Sequence, residues 1–444
     1  MTIIHPKWIW TPDGLATGWC VKIHSGRIVG VHLLERHHEV DISLPNSLLV
    51  PGFVNAHSHA FQRGFRGKVQ WTARARDDFW SWRDEMYRLA NRLPPEGVED
   101  VSRLAFLEMA EAGVTQVGEF HYLHHQSDGT PYDNPTELAE RVIAAARDVG
   151  IRICLLRVAY ARGGPGKGIE KDQRRFCDKE VGDVYSSIER LERLDDPMVT
   201  VGLAPHSVRA LSAEWLTALS EYQGVVHMHV SEQPGENRAC SKEYGVSPLQ
   251  RIQDSGLLTD RFCAVHLTHP MAGDLELLKT SGGRICVCPS TELDLGDGFL
   301  PVEAREEIPM CVGSDSQATI DMMAEAAMLE MHGRGVAGRR NVLSPPGNRH
   351  GLAARLLNAI TIQGQIALGE PGLGIEVGAP ADLVGIRLDR PGAWGVPPLE
   401  AAVFNGNPDW VSSVWVGGKQ IVHQGRHPAR ERVWQAASRW MQPE

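Results

Sequence analysis

Apolar and polar positions along this chain fall into two regimes. In the middle, short apolar runs lie at 48–57, 115–120, 151–158, 199–205, 225–230, 261–266, 284–289 and 309–315. Between them stand amphipathic stretches such as PPEGVEDVSRLAFLEMAEAG, NPTELAERVIAAARDVG and SAEWLTALSEY. Short apolar runs alternating with helix-period segments predict βα units and a parallel sheet. Eight such runs in series predict an α/β fold, a closed (β/α)8 TIM barrel. A doubly wound open sheet is the competing arrangement. The two ends differ: residues 1–50 and 375–444 read as short strands broken by Asp-Gly, Ser-Gly and Gly-Gly turns. The expected organisation is a barrel over 51–374 and a small β-sandwich domain formed from both chain ends.

Composition narrows the function. The chain has 444 residues, 42% hydrophobic and 23% charged, as globular domains do. A formal net charge of −10 argues against nucleic acid or an anionic membrane as partner, while local arginines still permit an anionic small substrate. The start, MTIIHPKWIWTPDG, lacks a basic region before an apolar core, and no apolar run reaches membrane-spanning length. A cytoplasmic protein is expected. Eight cysteines include no Cys-x-x-Cys pair, and Cys154, Cys286 and Cys311 sit in strand-like runs, so buried thiols are expected.

The candidate chemistry sits where the predicted strands end, which is where barrel enzymes carry reactive groups. The first run ends in His57-Ser58-His59, and residues two apart on a strand share a face. Both imidazoles can therefore reach one ion. The fifth run carries His227-Met228-His229, followed by Glu232. Spacing alone does not choose between the two histidines, although His229 is nearer the strand end. The sixth run ends at His266 and the eighth at Asp315, which as a lone Asp after a strand also reads as a helix cap. Three histidines and an aspartate make a sound donor set for a divalent ion such as Zn2+. The fourth run supplies no Lys or Glu to bridge two metals, which favours a single one.

LLVPGFVNAHSHAFQRGFRG, HVSEQ, AVHLTH, GSDS and LGIEVGAPADLVGI together resemble the amidohydrolase superfamily, in its single-metal deaminase branch. The resemblance spans nearly the whole chain. HAFQRGFRG, DDFWSWRDEMY, GEFHYLHH and APHSVRA narrow it to the formimidoylglutamate deiminases. That resemblance implies hydrolysis of N-formimidoyl-L-glutamate to N-formyl-L-glutamate and ammonia, in histidine degradation, by a homodimer. It implies His57, His59, His229 and Asp315 as ligands of one divalent metal, most simply Zn2+. Glu232, His266 and Asp315 would handle protons and polarise the reacting groups. Gln62, Arg83, Tyr122, His206 and Arg209 would hold the glutamate portion. Whether His269 reaches the site is open. The Trp-rich stretch at 71–87 is expected to form a lid or pocket wall, and the pairs Asp77-Asp78 and Glu306-Glu307 a solvated surface. The alternatives are a deaminase of a nucleobase or nucleoside derivative, a cyclic-amide hydrolase that opens a ring without releasing ammonia, and an inactive barrel acting as a scaffold.

Overall fold

The computed structural model describes residues 1–35, 39–70 and 79–441. Eight parallel strands form one sheet, in which each strand pairs with its sequence neighbour. They are Phe53–Ser58, Val114–His121, Arg152–Ala159, Val199–Pro205, Val226–Val230, Phe262–His266, Arg284–Val287 and Met310–Val312. Helices connect them, among them Pro95–Glu111, Glu137–Val149 and Ala213–Leu219 in the three amphipathic stretches. The strands are buried almost throughout, as expected where helices cover one face and barrel-filling side chains the other.

The sheet closes on itself. Ser58 and Asp315 form a parallel bridge. The Asp315 N–H donates to the His57 carbonyl at 2.9 Å, and the His59 N–H donates to the Asp315 carbonyl at 3.0 Å. This is the (β/α)8 TIM barrel. Strands from both chain ends build a second, mixed sheet, the small β-sandwich domain. There Thr2–Thr11 runs parallel to Ile42–Pro51, which pairs antiparallel with Leu383–Arg387. Ile4, Ile9, Val21, Leu49, Leu383 and Trp415 form its separate core. Within 375–444, the helix Arg430–Ser438 packs against Pro95–Glu111 of the barrel.

One apolar run divides. Residues 48–57 read as a single strand, but 48–51 end a strand of the small sheet and 53–57 belong to the first barrel strand. Gly52 is the junction, and a Cβ there would lie 2.0 Å from Thr115 Oγ1. Of the Trp-rich stretch, residues 71–78, with Asp77-Asp78, lie outside the described residues. Its continuation is the helix Phe79–Arg92. Glu306 and Glu307 pair with Arg339 and Lys279 on the surface. All eight cysteines are buried and unbridged. No described helix is long and apolar enough to cross a membrane.

Gly313 lies at the closure, where a Cβ would meet the His57 carbonyl oxygen at 2.7 Å and its nitrogen at 2.9 Å. Backbone cannot swing aside as a side chain can. Gly313→Ala is therefore expected to cost about 1–3 kcal/mol in denaturant unfolding, the usual penalty of overpacking. Gly335→Ala, in the helix Met322–Ala337 with nothing within 4 Å, serves as the control and is expected to be neutral or stabilising.

Candidate active site

Four buried side chains converge above the first, fifth and eighth strands. His57 lies at the end of the first strand and His59 just beyond it, His229 lies near the end of the fifth, and Asp315 follows the eighth. One donor atom from each lies within 4.8 Å of all the others. His57 Nε2 stands 3.4 Å and His59 Nε2 3.2 Å from Asp315 Oδ1. His229 Nε2 is 3.2 Å from His57 Nε2. His227, of the same parity as His229, pairs its Nε2 with the Ala367 carbonyl at 2.7 Å and is not in the group.

The surrounding backbone sets the tautomers. His59 Nδ1–H donates to the Phe120 carbonyl at 3.0 Å, and His229 Nδ1–H donates to the His206 carbonyl at 3.1 Å. A carbonyl only accepts, so in the neutral ring it is Nε2 that carries the lone pair a metal needs. Burial pushes His57 down to about 3 and His229 well below its ordinary value. Both are neutral near pH 7, the form a metal requires. Burial alone would raise the Asp315 carboxyl. The imidazoles of His57 and His59 and the charge at His266 outweigh it and hold that carboxyl well below its usual range. Neutral nitrogens facing one another beside a carboxylate, away from water, fit a divalent cation.

Beside this group lies an acid–imidazole set. His266, at φ +71°, ends the sixth strand. Its Nδ1 is 3.4 Å from Glu292 Oε1, which also accepts from the Cys288 N–H at 2.9 Å. Its Nε2 is 3.7 Å from both Glu232 Oε1 and Asp315 Oδ2. Burial disfavours a charge on His266, but the carboxylates of Glu232, Glu292 and Asp315 outweigh it and push the imidazole up to about 10. Glu232 is outside the four-residue group and accepts from Arg209 Nη2 at 3.3 Å. Arg209 Nε also lies 3.4 Å from Glu236 Oε2. Burial raises the Glu236 carboxyl to about 7, against the pull of Arg209.

A cavity of about 870 Å³ opens above the group. Gln62, Arg83, Tyr122, His206 and Arg209 all line it, with Glu232 and Asp315 at its base. Gln62 Nε2 donates to Tyr122 Oη at 2.8 Å. Trp82, Arg83, Met86 and Tyr87 make the helix Phe79–Arg92 one wall. His269 does not line the cavity, and its Nε2 lies 2.6 Å from the Asp297 carbonyl oxygen.

Several supporting residues were not evident from the pattern. Glu119, on the second strand, accepts from Ser58 Oγ at 2.7 Å and from the Ala60 N–H at 2.8 Å, gripping the backbone on both sides of His59. Gln317 Nε2 donates to Ser58 Oγ at 2.9 Å. Asn55 and Ser314 exchange two hydrogen bonds, at 2.7 and 2.9 Å. Arg162 Nε and Nη2 donate to the carbonyls of Arg209 and Val208 and so hold the turn that carries Arg209. A charged residue within a buried run, as in VGEFH, was the one available signal for Glu119. Glu292 offered none, because an acid in a first helical turn is ordinary.

With this geometry established, comparisons with known proteins decide the family. The profile of the amidohydrolase family matches residues 48–421. The chain belongs to the amidohydrolase family. This amidohydrolase is 34% identical to a formimidoylglutamate deiminase of Pseudomonas aeruginosa, over 86% of each chain. It is 29% identical to a 5-methylthioadenosine/S-adenosylhomocysteine deaminase of Teredinibacter turnerae, over 86% of this chain and 81% of that one. Among solved structures, an amidohydrolase from Brucella melitensis superposes with a TM-score of 0.91 at 34% identity, covering 99% of both chains.

The buried neutral histidines predict an acid-labile fold. Burial holds His57 and His121 down to about 3 in the folded protein. In the unfolded chain they charge below about 6.5, so that state binds more protons as pH falls. Their contribution is complete above about 6.5 and is lost progressively toward 3. Denaturant unfolding of the metal-free protein should show stability falling by up to about 1.4 kcal/mol per pH unit for each such histidine between about 4.5 and 3, where the raised carboxyls of Glu119 and Glu236 are protonated in both states and no longer oppose it. A flat profile would contradict it.

Proposed function

We propose that this amidohydrolase is a one-metal deaminase of N-formimidoyl-L-glutamate. The reaction forms N-formyl-L-glutamate and ammonia: water adds to the formimidoyl carbon and the terminal C–N bond breaks. The observation that carries the reading is the pairing of a His57, His59, His229 and Asp315 cluster with a cavity wall that bears two arginines, Arg83 and Arg209. Arginine suits a dicarboxylate because its planar fork makes paired, charge-assisted bonds. Similarity to the Pseudomonas deiminase supports the same substrate.

His57, His59, His229 and Asp315 would hold the cation, with Zn2+ the natural choice for that donor set. When bound, the ion supplies a Lewis acid that makes water a competent nucleophile near neutral pH. The remaining work falls to side chains. Asp315 accepts the proton of the attacking water. His266, charged and held at Nδ1 by Glu292, turns Nε2 toward the same point and stabilises developing negative charge. Glu232, 3.7 Å from His266 Nε2, relays the two protons lost by the water, by way of Asp315, to the departing nitrogen, which leaves as ammonia with both carboxylates restored. Gln62, Tyr122 and His206 add polar contacts to the glutamate portion, and the wall helix limits access of bulk water.

A second reading, deamination of a nucleoside-type ring, draws on the aromatic wall of Tyr122, Tyr160 and Trp82 and on similarity to the methylthioadenosine deaminase. Ammonia release from formimidoylglutamate against a panel of adenosine derivatives separates the two. Glu232→Gln should retain metal and lose roughly 10²–10⁴-fold in turnover; full activity would remove Glu232 from the mechanism. Arg209→Met should raise KM for the acidic substrate by roughly 10²-fold or more, as loss of a charge-assisted pair does, and an unchanged KM would refute its role.

A further inference from the structure

A second group of donors lies against the first. His266, Cys288 and Asp315 each place a donor atom within 4.8 Å of the other two, and all three residues are buried. The two groups share Asp315 alone, and it offers them different oxygens. Oδ1 faces His57 and His59, while Oδ2 is 3.7 Å from His266 Nε2. His266 Nε2 is buried with no hydrogen-bond partner, its Nδ1 being engaged by Glu292. Cys288 is fully buried, and its backbone N–H is fixed by Glu292 Oε1 at 2.9 Å. One carboxylate of Glu292 thus anchors both the imidazole and the cysteine. A thiol, an imidazole nitrogen and a carboxylate oxygen form a mixed donor set that selects thiophilic borderline ions over Mg2+ or Ca2+.

We propose that His266 Nε2, Cys288 Sγ and Asp315 Oδ2 form a second, inhibitory site for a thiophilic divalent cation such as Zn2+. The inference rests on the one-metal reading of the neighbouring cluster. Binding replaces the Cys288 thiol proton and the His266 Nε2 proton with bonds to the ion. Both protons leave to solvent, and no electron is transferred. His266 is then withdrawn from the reaction, and Asp315 is shared between two ions. Excess zinc should therefore suppress the same enzyme that one equivalent sustains.

The test uses the full-length protein loaded with one equivalent of Zn2+. Titration with further Zn2+ should bind a second equivalent, read by equilibrium dialysis with elemental analysis. Ammonia release should fall in parallel by the roughly 10²–10⁴-fold that a general acid–base group contributes. Cys288→Ala should bind only one equivalent, keep its basal activity and resist excess zinc. Cobalt reports ligation independently. A second equivalent of Co2+ should produce a thiolate-to-cobalt charge-transfer band in the wild-type protein, and Cys288→Ser should lack it. If wild type binds one equivalent only, or the alanine variant binds two, the site does not exist. If the variant is inhibited as strongly as wild type, inhibition arises elsewhere. Stoichiometry and the cobalt band need no substrate, so an error in the assigned reaction would leave them intact.

Discussion

The hydrogen bonds that close the barrel are also those that bring the four converging side chains together. Asp315 donates to the His57 carbonyl and accepts from the His59 N–H, so three of the four converging residues form the seam itself. The chain after the eighth strand cannot drift from the first strand without parting Asp315 from the two imidazoles. Gly313 permits the close approach, and the polar ladder through Asn55, Ser314, Gln317, Ser58 and Glu119 holds it. Such a ladder is stabilising only while every member is satisfied, which ties its integrity to that of the closure. Positive φ at Ser231, His266, Leu267, Asp315 and Gln317 marks where strands break to turn side chains inward. Backbone in that region is costly for residues other than glycine and persists only where surrounding bonds over-determine it.

Environment separates groups of like chemistry into different states. His57 and His229 are kept neutral by burial, whereas His266, equally buried, is charged because three carboxylates surround it. Asp315 is held ionised by imidazoles, while Glu119 and Glu236 are raised to about 7 by burial. The neutral histidines and the charged one therefore differ in their neighbours, and depth of burial does not distinguish them. Such divergence between like groups is what acid–base and ligand roles require. Membership of the amidohydrolase family and a TM-score of 0.91 to the Brucella structure accord with an arrangement fixed by the fold.

The periodicity of the chain was enough for the barrel, because each strand is short, buried and followed by an amphipathic helix. It failed locally at residues 48–57, where two strands in different sheets are both apolar and only Gly52 separates them. The His57/His59 pair was legible from its two-residue spacing, since strand geometry aligns such residues without reference to the rest of the fold. The choice of His229 over His227 was not. Both point the same way, and what separates them is which backbone carbonyl each one meets.

By itself, then, the sequence determined what local geometry dictates: the alternation of strands and helices, the paired ends of the chain, and the residue types stationed at strand ends. Tertiary structure alone decided the tautomers of His59 and His229, the charge of His266, and the grip of Glu119, Glu292 and Arg162 on their neighbours. It also brought Cys288 to Asp315. These depend on contacts between residues tens to hundreds of positions apart, and periodicity carries no information about distances across a closed barrel.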